Sequence, residues 1–314
     1  MEHLKSNHTR VNEFFLAAIS PTWQSQIALF VVFLLAYAAT IIGNTLIMLT
    51  VASDPQLRTP MYFLLGNLSF LDLCLSTVTA PRLLMDFLIE KRSIVFEACM
   101  AQLFFLHFVG ASEMLLLNVM AYDRYVAICK PLHYPSIMNR HLCSWLVAAS
   151  WTAGFIHSTV QTILTMRLPY CGPNQVDNYF CDVPPVIKLA CTDIYIIELL
   201  MISNSGLITT CCFVILVTSY ATILLRIQSP EGRRKALNVC ASHLTVVTLF
   251  FAPCIFIYAR PFCIFSVDKL VSVLYNVITP LLNPLIYTLR NKDVKMAMRK
   301  LRKKEVFSDG KLVM

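Results

Sequence analysis

The stretch MAYDRYVAICKPLHY, Met120 to Tyr134, sets Asp123 and Arg124 side by side where a long apolar run ends. What such a pair does depends on the solvent around the run. Of the 314 residues, 57% are hydrophobic and 14% charged, against about a quarter charged in a soluble protein. The apolar residues are gathered into long runs, and about 20 in succession cross a bilayer as a helix. Seven candidate spans follow in order: 25–50, 59–80, 99–121, 142–165, 197–225, 236–259 and 270–289. Lipid offers the backbone no hydrogen-bond partner, which favours helices. The alternating segments of about ten residues that build a membrane barrel are missing from the sequence. The sixth span has a short apolar part, 242–259, so its helix should start in the cytosol near Lys235, and the fourth is interrupted by Gly154 and His157. The expected fold is an all-α membrane protein, a seven-transmembrane-helix bundle over residues 25–289 with tails 1–24 and 290–314.

Orientation follows from Lys and Arg, which concentrate on the cytosolic side. With the N-terminus extracellular and the C-terminus cytosolic, the inner segments hold 17 of the 26 basic residues and a net charge of +11, and the outer segments a net −1. The basic excess therefore addresses membrane lipid at the inner face and not nucleic acid. Residues 1–24 lack the short apolar core of a cleavable signal peptide, so the first helix is expected to direct insertion. Asn7-His8-Thr9 is a glycosylation sequon on the outer side, a pattern that also arises by chance. Cys99, Cys171, Cys181 and Cys191 fall on the outer side too, where disulfides persist. Four cysteines allow three pairings, and Cys99–Cys181 with Cys171–Cys191 is the one expected here. The other eight cysteines lie in or near helices, where a thiol packs as a small apolar group. After the seventh span, RNKDVKMAMRKLRKK spaces Val294, Met296, Met298 and Leu301 among cations. This reads as a short amphipathic helix on the inner membrane surface, the alternative being a disordered basic tail.

Ionisable groups inside a span are costly and mark function by default. Asp72 and Glu113 are the two here, with Asn44 and Asn283 as amide neighbours if the second, third and seventh helices pack together. Such a cluster can hold Na⁺ or share a proton, or it can be a polar knot that specifies helix packing. Glu113 and Arg124 are eleven residues apart, about three helical turns, so they share a face of the third helix. Pro253, Pro280 and Pro284 each remove a helix hydrogen bond in the sixth and seventh spans and invite kinks.

These features resemble, as a set, the rhodopsin-like (class A) G-protein-coupled receptors, and among them the olfactory (odorant) receptors of the tetrapod-type (class II) subgroup. The likeness runs from about Asn7 to about Leu301. It rests on GN at 43–44, LRTPMYFLLGNLSFLD at 57–72, MAYDRYVAICKPLHY, SY at 219–220, KALNVCASHLTVVTLFF at 235–251 and PLLNPLIYTLRN at 280–291. The four outer cysteines match that family's arrangement and support the pairing given above. Arg58 stands where the family usually has His, KALNVC where it has K-A-F-S-T-C, and FFA at 250–252 where it has F-Y-G. The resemblance implies a plasma-membrane, multi-pass receptor in the cilia of olfactory sensory neurons. It would bind a volatile small molecule from outside and activate a heterotrimeric G protein of the stimulatory olfactory type, raising cyclic AMP. By motif, Arg124 engages the G protein once freed from Asp123, with Tyr125, Tyr220, His243, Asn283, Pro284 and Tyr287 completing the switch.

On the third helix His107, Gly110, Ala111 and Met114 form one stripe at i, i+3, i+4, i+7 spacing. Family analogy adds Asn204 and Ser205 on the fifth helix, Phe251, Ile255 and Tyr258 on the sixth, and Asn276 on the seventh. The lining is mostly apolar with a few hydrogen-bonding groups, as small-molecule sites are. Leu106 stands where amine receptors of the superfamily carry Asp, and the seventh span after Lys269 has no Lys for a retinal Schiff base. The ligand implied is neutral and mainly hydrophobic, met by His107, Tyr258 or Asn276. An ion channel or transporter using Asp72 and Glu113 as an ion path is the rival class. No repeat relates the two halves, as a transporter would require. His107 and His157 have no metal-spaced partner and no nucleophile motif is present, so neither an enzyme nor a cofactor is expected.

Overall fold

The computed structural model describes residues 11–20, 22–227, 229–260, 265, 267–290 and 292–309. Asn7 and its sequon, and Cys263, lie outside the described residues.

Four long helices come first: α1 (Trp23–Ser53), α2 (Pro60–Leu88), α3 (Phe96–Cys129) and α4 (Arg140–Met166). Next, α5 comprises Tyr195–Ile202, a π-helical turn at Ser203–Leu207 and Ile208–Arg226. Then come α6 (Pro230–Tyr258) and α7, which runs Asp268–Val273, a second π turn at Leu274–Ile278, and Thr279–Arg290. Last is α8 (Lys292–Asp309). The helices outrun the apolar runs because capping, and not hydropathy, sets their starts. Thr22 and Asn139 accept hydrogen bonds from the backbone of Ser25 and Leu142, Ser229 does so from Gly232, and proline opens α2 and α6. Pro253 and Pro284 lie inside helices that continue past them.

Five of the helices, α1, α2, α3, α5 and α7, are long and apolar enough to cross a membrane, and α6 adds the shorter apolar part His243–Tyr258. α4 is 27 residues long and carries His141, Ser150, Thr152 and His157, and it falls short of that apolarity. The chain is thus a helical membrane protein with several spans. Gly154 does not interrupt α4, as the sequence suggested. Lipid supplies little drive for helices to pack, so close approach depends on small residues. A Cβ at position 154 would stand 2.8 Å from the Phe108 carbonyl oxygen and 3.0 Å from the Ser112 nitrogen. Glycine there lets α4 lie against α3, the helix that also meets α2, α5 and α6.

The all-α expectation needs correction at the end of the bundle that carries the disulfides. Segments β1 (Glu13–Leu16), β2 (Ser93–Val95) and β3 (Gln175–Val176) form a small sheet in the order β2-β1-β3. Phe14 pairs opposite Ile94 in the antiparallel half, and Leu16 opposite Val176 in the parallel half. The N-terminal tail is drawn in because alternate residues of EFFL face inward. Phe14 is fully buried, its ring 5.9 Å from that of Phe96 and 5.6 Å from that of Tyr170. The strand lies outside the apolar spans, and burying such a ring away from water stabilises by about 2–3 kcal/mol.

At the other end α8 turns Val294 and Ala297 into the core and leaves Met296 exposed. Tyr62 donates to Asp293 at 3.1 Å, and Lys300 pairs with Asp54 at 3.3 Å. The helix therefore packs against the inner ends of α1 and α2 by one apolar edge.

Candidate functional site

The site begins with a disulfide. Cys99 near the start of α3 is bonded to Cys181, with Cα atoms 5.4 Å apart, and the second outer loop is thereby pulled over the bundle. Cys171 and Cys191 are bonded to each other and close the loop on itself. The residue after Cys181 is Asp182, almost fully buried, and it caps the short helix Val183–Ile187 through the Val183 N–H at 2.7 Å. Its carboxylate reaches two helices. Oδ1 lies 3.0 Å from His107 Nε2 on α3, and Oδ2 accepts from the Tyr258 hydroxyl of α6 at 2.8 Å. The Tyr258 hydroxyl in turn lies 3.4 Å from that of Tyr275 on α7. One loop residue so ties the lid to α3 and α6, with α7 next in the chain.

Beneath this cluster lies a cavity of about 50 Å³. Of the expected ligand residues, His107, Gly110, Ala111, Met114, Ser205 and Tyr258 line it. Four do not. Phe251 is buried in an aromatic stack, 5.8 Å from Phe213 and 5.6 Å from Phe250, and Ile255 packs against the core. Asn204 and Asn276 sit within the two π turns, where the extra residue per turn shifts the face presented. In α7 this brings Tyr275 to the wall and leaves Asn276 fully buried behind it. Sequence reasoning missed Asp182, His157 and Tyr275. The signal for Asp182 was an acid next to a bridging cysteine, where the covalent link fixes the position of its neighbour. His157 does not interrupt α4, and its ring lies 6.0 Å from that of His107.

Below the cavity the polar residues meet only in part. Asn283 donates to both Asp72 oxygens, each at 2.9 Å. Asn44 instead donates to the Thr40 and Pro280 carbonyls, both at 3.1 Å, and so ties α1 to α7. Glu113 is fully buried near enough to Asp72 for their charges to interact, but neither of its oxygens has a hydrogen-bond partner among the described residues.

At the C-terminal end of α3 Asp123 is buried and accepts a 2.8 Å hydrogen bond from the Tyr134 hydroxyl. Among the described residues no ion pair joins it to Arg124; its direct partner is the last residue of the opening stretch. Burial, and then the Asp123 carboxylate, push the Tyr134 phenol above its ordinary pKa, so it stays a donor. Arg124 is half-buried within electrostatic reach of Tyr220, His243 and Tyr287. Tyr220 and His243 are hydrogen-bonded to one another across α5 and α6. Tyr125 lies under the Arg226 guanidinium at 5.8 Å. Pro284 packs beside Gly43 of α1, where a Cβ would stand 2.9 Å from the proline ring. Of the switch residues named from the sequence, Tyr220, His243 and Tyr287 gather about Arg124, whereas Asn283 is engaged by Asp72 and Pro284 packs beside Gly43.

Comparison with known proteins places the chain in a family. A sequence model of the olfactory receptor family matches residues 33–304. The chain is 68% identical to olfactory receptor 4Q2 of Homo sapiens over 95% of its length and 96% of the relative's. It is 58% identical to olfactory receptor 4E2 of Mus musculus, over 96% of this chain and 99% of that one. With olfactory receptor 4M1 of Homo sapiens the identity is 54%, over 98% and 99%. Multi-pass helical architecture, the Cys99–Cys181 bridge and full-length likeness converge: the chain belongs to the olfactory receptor family, a family of G-protein-coupled receptors and not of enzymes.

Proposed function

We propose that the protein is an odorant receptor that crosses the plasma membrane seven times, with its N-terminus outside and its C-terminus in the cytosol. In olfactory cilia it binds a small, mostly hydrophobic, neutral volatile molecule within the bundle. It then activates a stimulatory olfactory G protein and raises cyclic AMP. The observation that carries the reading is the cavity beneath Asp182, walled by His107, Met114, Ser205 and Tyr258 on three different helices. At about 50 Å³ it is well below the roughly 300–1,000 Å³ of a drug-sized ligand site. It suits a small volatile and asks flexible side chains such as Met114 to give way. The one carboxylate at its roof is already engaged by His107 and Tyr258, so the site favours a neutral guest with a single hydrogen-bonding group. A guest that bonds His107 or Tyr258 competes with Asp182 for them and so alters the tie between α3 and α6. α3 also carries Glu113 and Arg124, and α6 carries His243, so a change at the roof has a rigid route to the inner end. Asp123 is held by Tyr134, and release of that bond frees the inner end of α3 to meet a G protein. The basic excess of the inner segments supports the orientation.

The test is a cyclic AMP dose–response in transfected cells against a panel of volatile compounds. Ligand-dependent accumulation that shifts in Tyr258→Phe and His107→Ala is the expected result. An agonist whose response both variants leave unchanged would remove the pocket assignment. Ligand-gated current in protein-containing liposomes without G protein would favour the channel reading.

A further inference from the structure

A groove of about 980 Å³ lies apart from the cavity beneath Asp182, near the C-terminal end of α3. It lies between α1, α2 and α4 and is lined along its length by Val51, Phe63, Phe70 and Met138, with Arg58 and Arg140 also in its wall. Both arginines are exposed, and among the described residues neither forms an ion pair. No Asp or Glu lines the groove, and nearby Asp54 is paired with Lys300.

The placement of these cations runs against local electrostatics. Arg140 is the first residue of α4, and Arg58 stands two residues before α2, next to its N-cap Thr59. Helix N-termini carry partial positive charge and disfavour cations. The Thr59 side chain leaves the first turn of α2 uncapped. Two exposed guanidiniums, each at a helix start in the wall of one groove, make that wall attractive to an anion. The oily wall beside them asks for a hydrocarbon chain on the same molecule.

We propose that this groove binds an anionic phospholipid of the inner leaflet, its phosphate between Arg58 and Arg140 and one acyl chain along Val51, Phe63, Phe70 and Met138. The inference rests on the orientation given under Proposed function, which sets this groove at the cytosolic face. Tyr134, the residue that holds Asp123, also lines the groove. The bound lipid therefore sits one side chain from the switch.

The experiment uses the full-length receptor purified in detergent, with phosphatidylserine or phosphatidylcholine titrated and bound lipid read by native mass spectrometry. Each basic residue at an anionic lipid surface contributes about fivefold in affinity. Wild type should prefer phosphatidylserine, R58Q/R140Q should lose about thirtyfold of that affinity, and R299Q on α8 should lose none. Gly66 faces the groove, with an added Cβ in ordinary contact only with Val51, at 3.8 Å. Gly66→Leu should displace about two methylenes and weaken binding about tenfold with both arginines intact. Thermal melting of each variant checks folding. Equal binding of the two lipids by wild type, or unchanged phosphatidylserine affinity in R58Q/R140Q, overturns the proposal. The measurement needs neither odorant nor G protein. A lost cyclic AMP response with lipid selectivity intact counts against the receptor reading alone, and the reverse pattern counts against this inference alone.

Discussion

Replacing Asp182 with Asn keeps the side chain's volume and removes its charge. The wild-type carboxylate accepts from the Tyr258 hydroxyl at 2.8 Å and from the Val183 N–H at 2.7 Å, and lies 3.0 Å from His107 Nε2. Asn has one acceptor oxygen, so it can serve Val183 and His107 or Tyr258, but not all three. Hydrogen bonds to a charged group contribute about 1.5–3 kcal/mol. Losing one and weakening another costs about 2–4 kcal/mol by the same figures. Thermal unfolding of the purified, ligand-free receptor should fall by several degrees for D182N. Tyr258→Phe removes the same bond from the other side, so the two changes should not add; a double-mutant cycle should give a coupling of about 1–2 kcal/mol. In cells, D182N should shift agonist potency by at least about tenfold, equivalent to 1.4 kcal/mol. Additive melting shifts, or a D182N receptor that melts with wild type, would refute the claim that Asp182 ties the lid to α6.

Further outcomes follow from other contacts. Tyr134→Phe leaves buried Asp123 without its direct donor, and ligand-independent cyclic AMP should rise at equal surface expression; an unchanged baseline counts against Tyr134 as the restraint. Because burial raises the Tyr134 pKa, its proton is lost only above the ordinary tyrosine range. That restraint should therefore be constant across neutral pH and weaken only in strong alkali, which pH-dependent melting of wild type against Tyr134→Phe checks. Gly154→Leu forces a side chain into Phe108 and Ser112, a strain of about 1–3 kcal/mol or more, and should cut surface expression where Gly172→Leu, whose Cβ meets open space, does not. Phe14→Ala should cost about 3–5 kcal/mol and lower the melting temperature, since the ring is fully buried between Phe96 and Tyr170.

Much of the architecture was legible because lipid makes hydropathy decisive. The long runs from Ser25 and Cys99 each lie within a single helix, and the run from Thr59 starts at the N-cap of α2. The outer cysteines found their pairing through the family resemblance, since placement alone left three. What escaped detection depended on three-dimensional register. The strand at Glu13–Leu16 is four residues long and acquires its structure from partners some 80 and 160 positions away. No local pattern separates it from a tail. The π turns at Ser203–Leu207 and Leu274–Ile278 leave no composition signal, yet they decide that Ser205 and Tyr275 face the cavity while Asn204 and Asn276 do not. Asp182 was hidden for a different reason: an acid in an outer loop ordinarily faces water, and only the Cys99–Cys181 bond carries it inside. The sequence motif implies that Asp123, the neighbour in sequence, restrains Arg124. The structure hydrogen-bonds Asp123 to Tyr134, eleven residues on, and leaves Arg124 within electrostatic reach of Asp123, Tyr220 and Tyr287 alike.

The central claim is that a molecule bound beneath Asp182 is sensed through Arg124 at the other end of α3. It is tested most directly by cyclic AMP accumulation in cells displaying equal surface amounts of wild type and Arg124→Ala, exposed to the same active volatile compound. The account predicts a ligand-dependent rise in wild type and none in Arg124→Ala, with binding of the compound retained by both. A normal response from surface-displayed Arg124→Ala would contradict it.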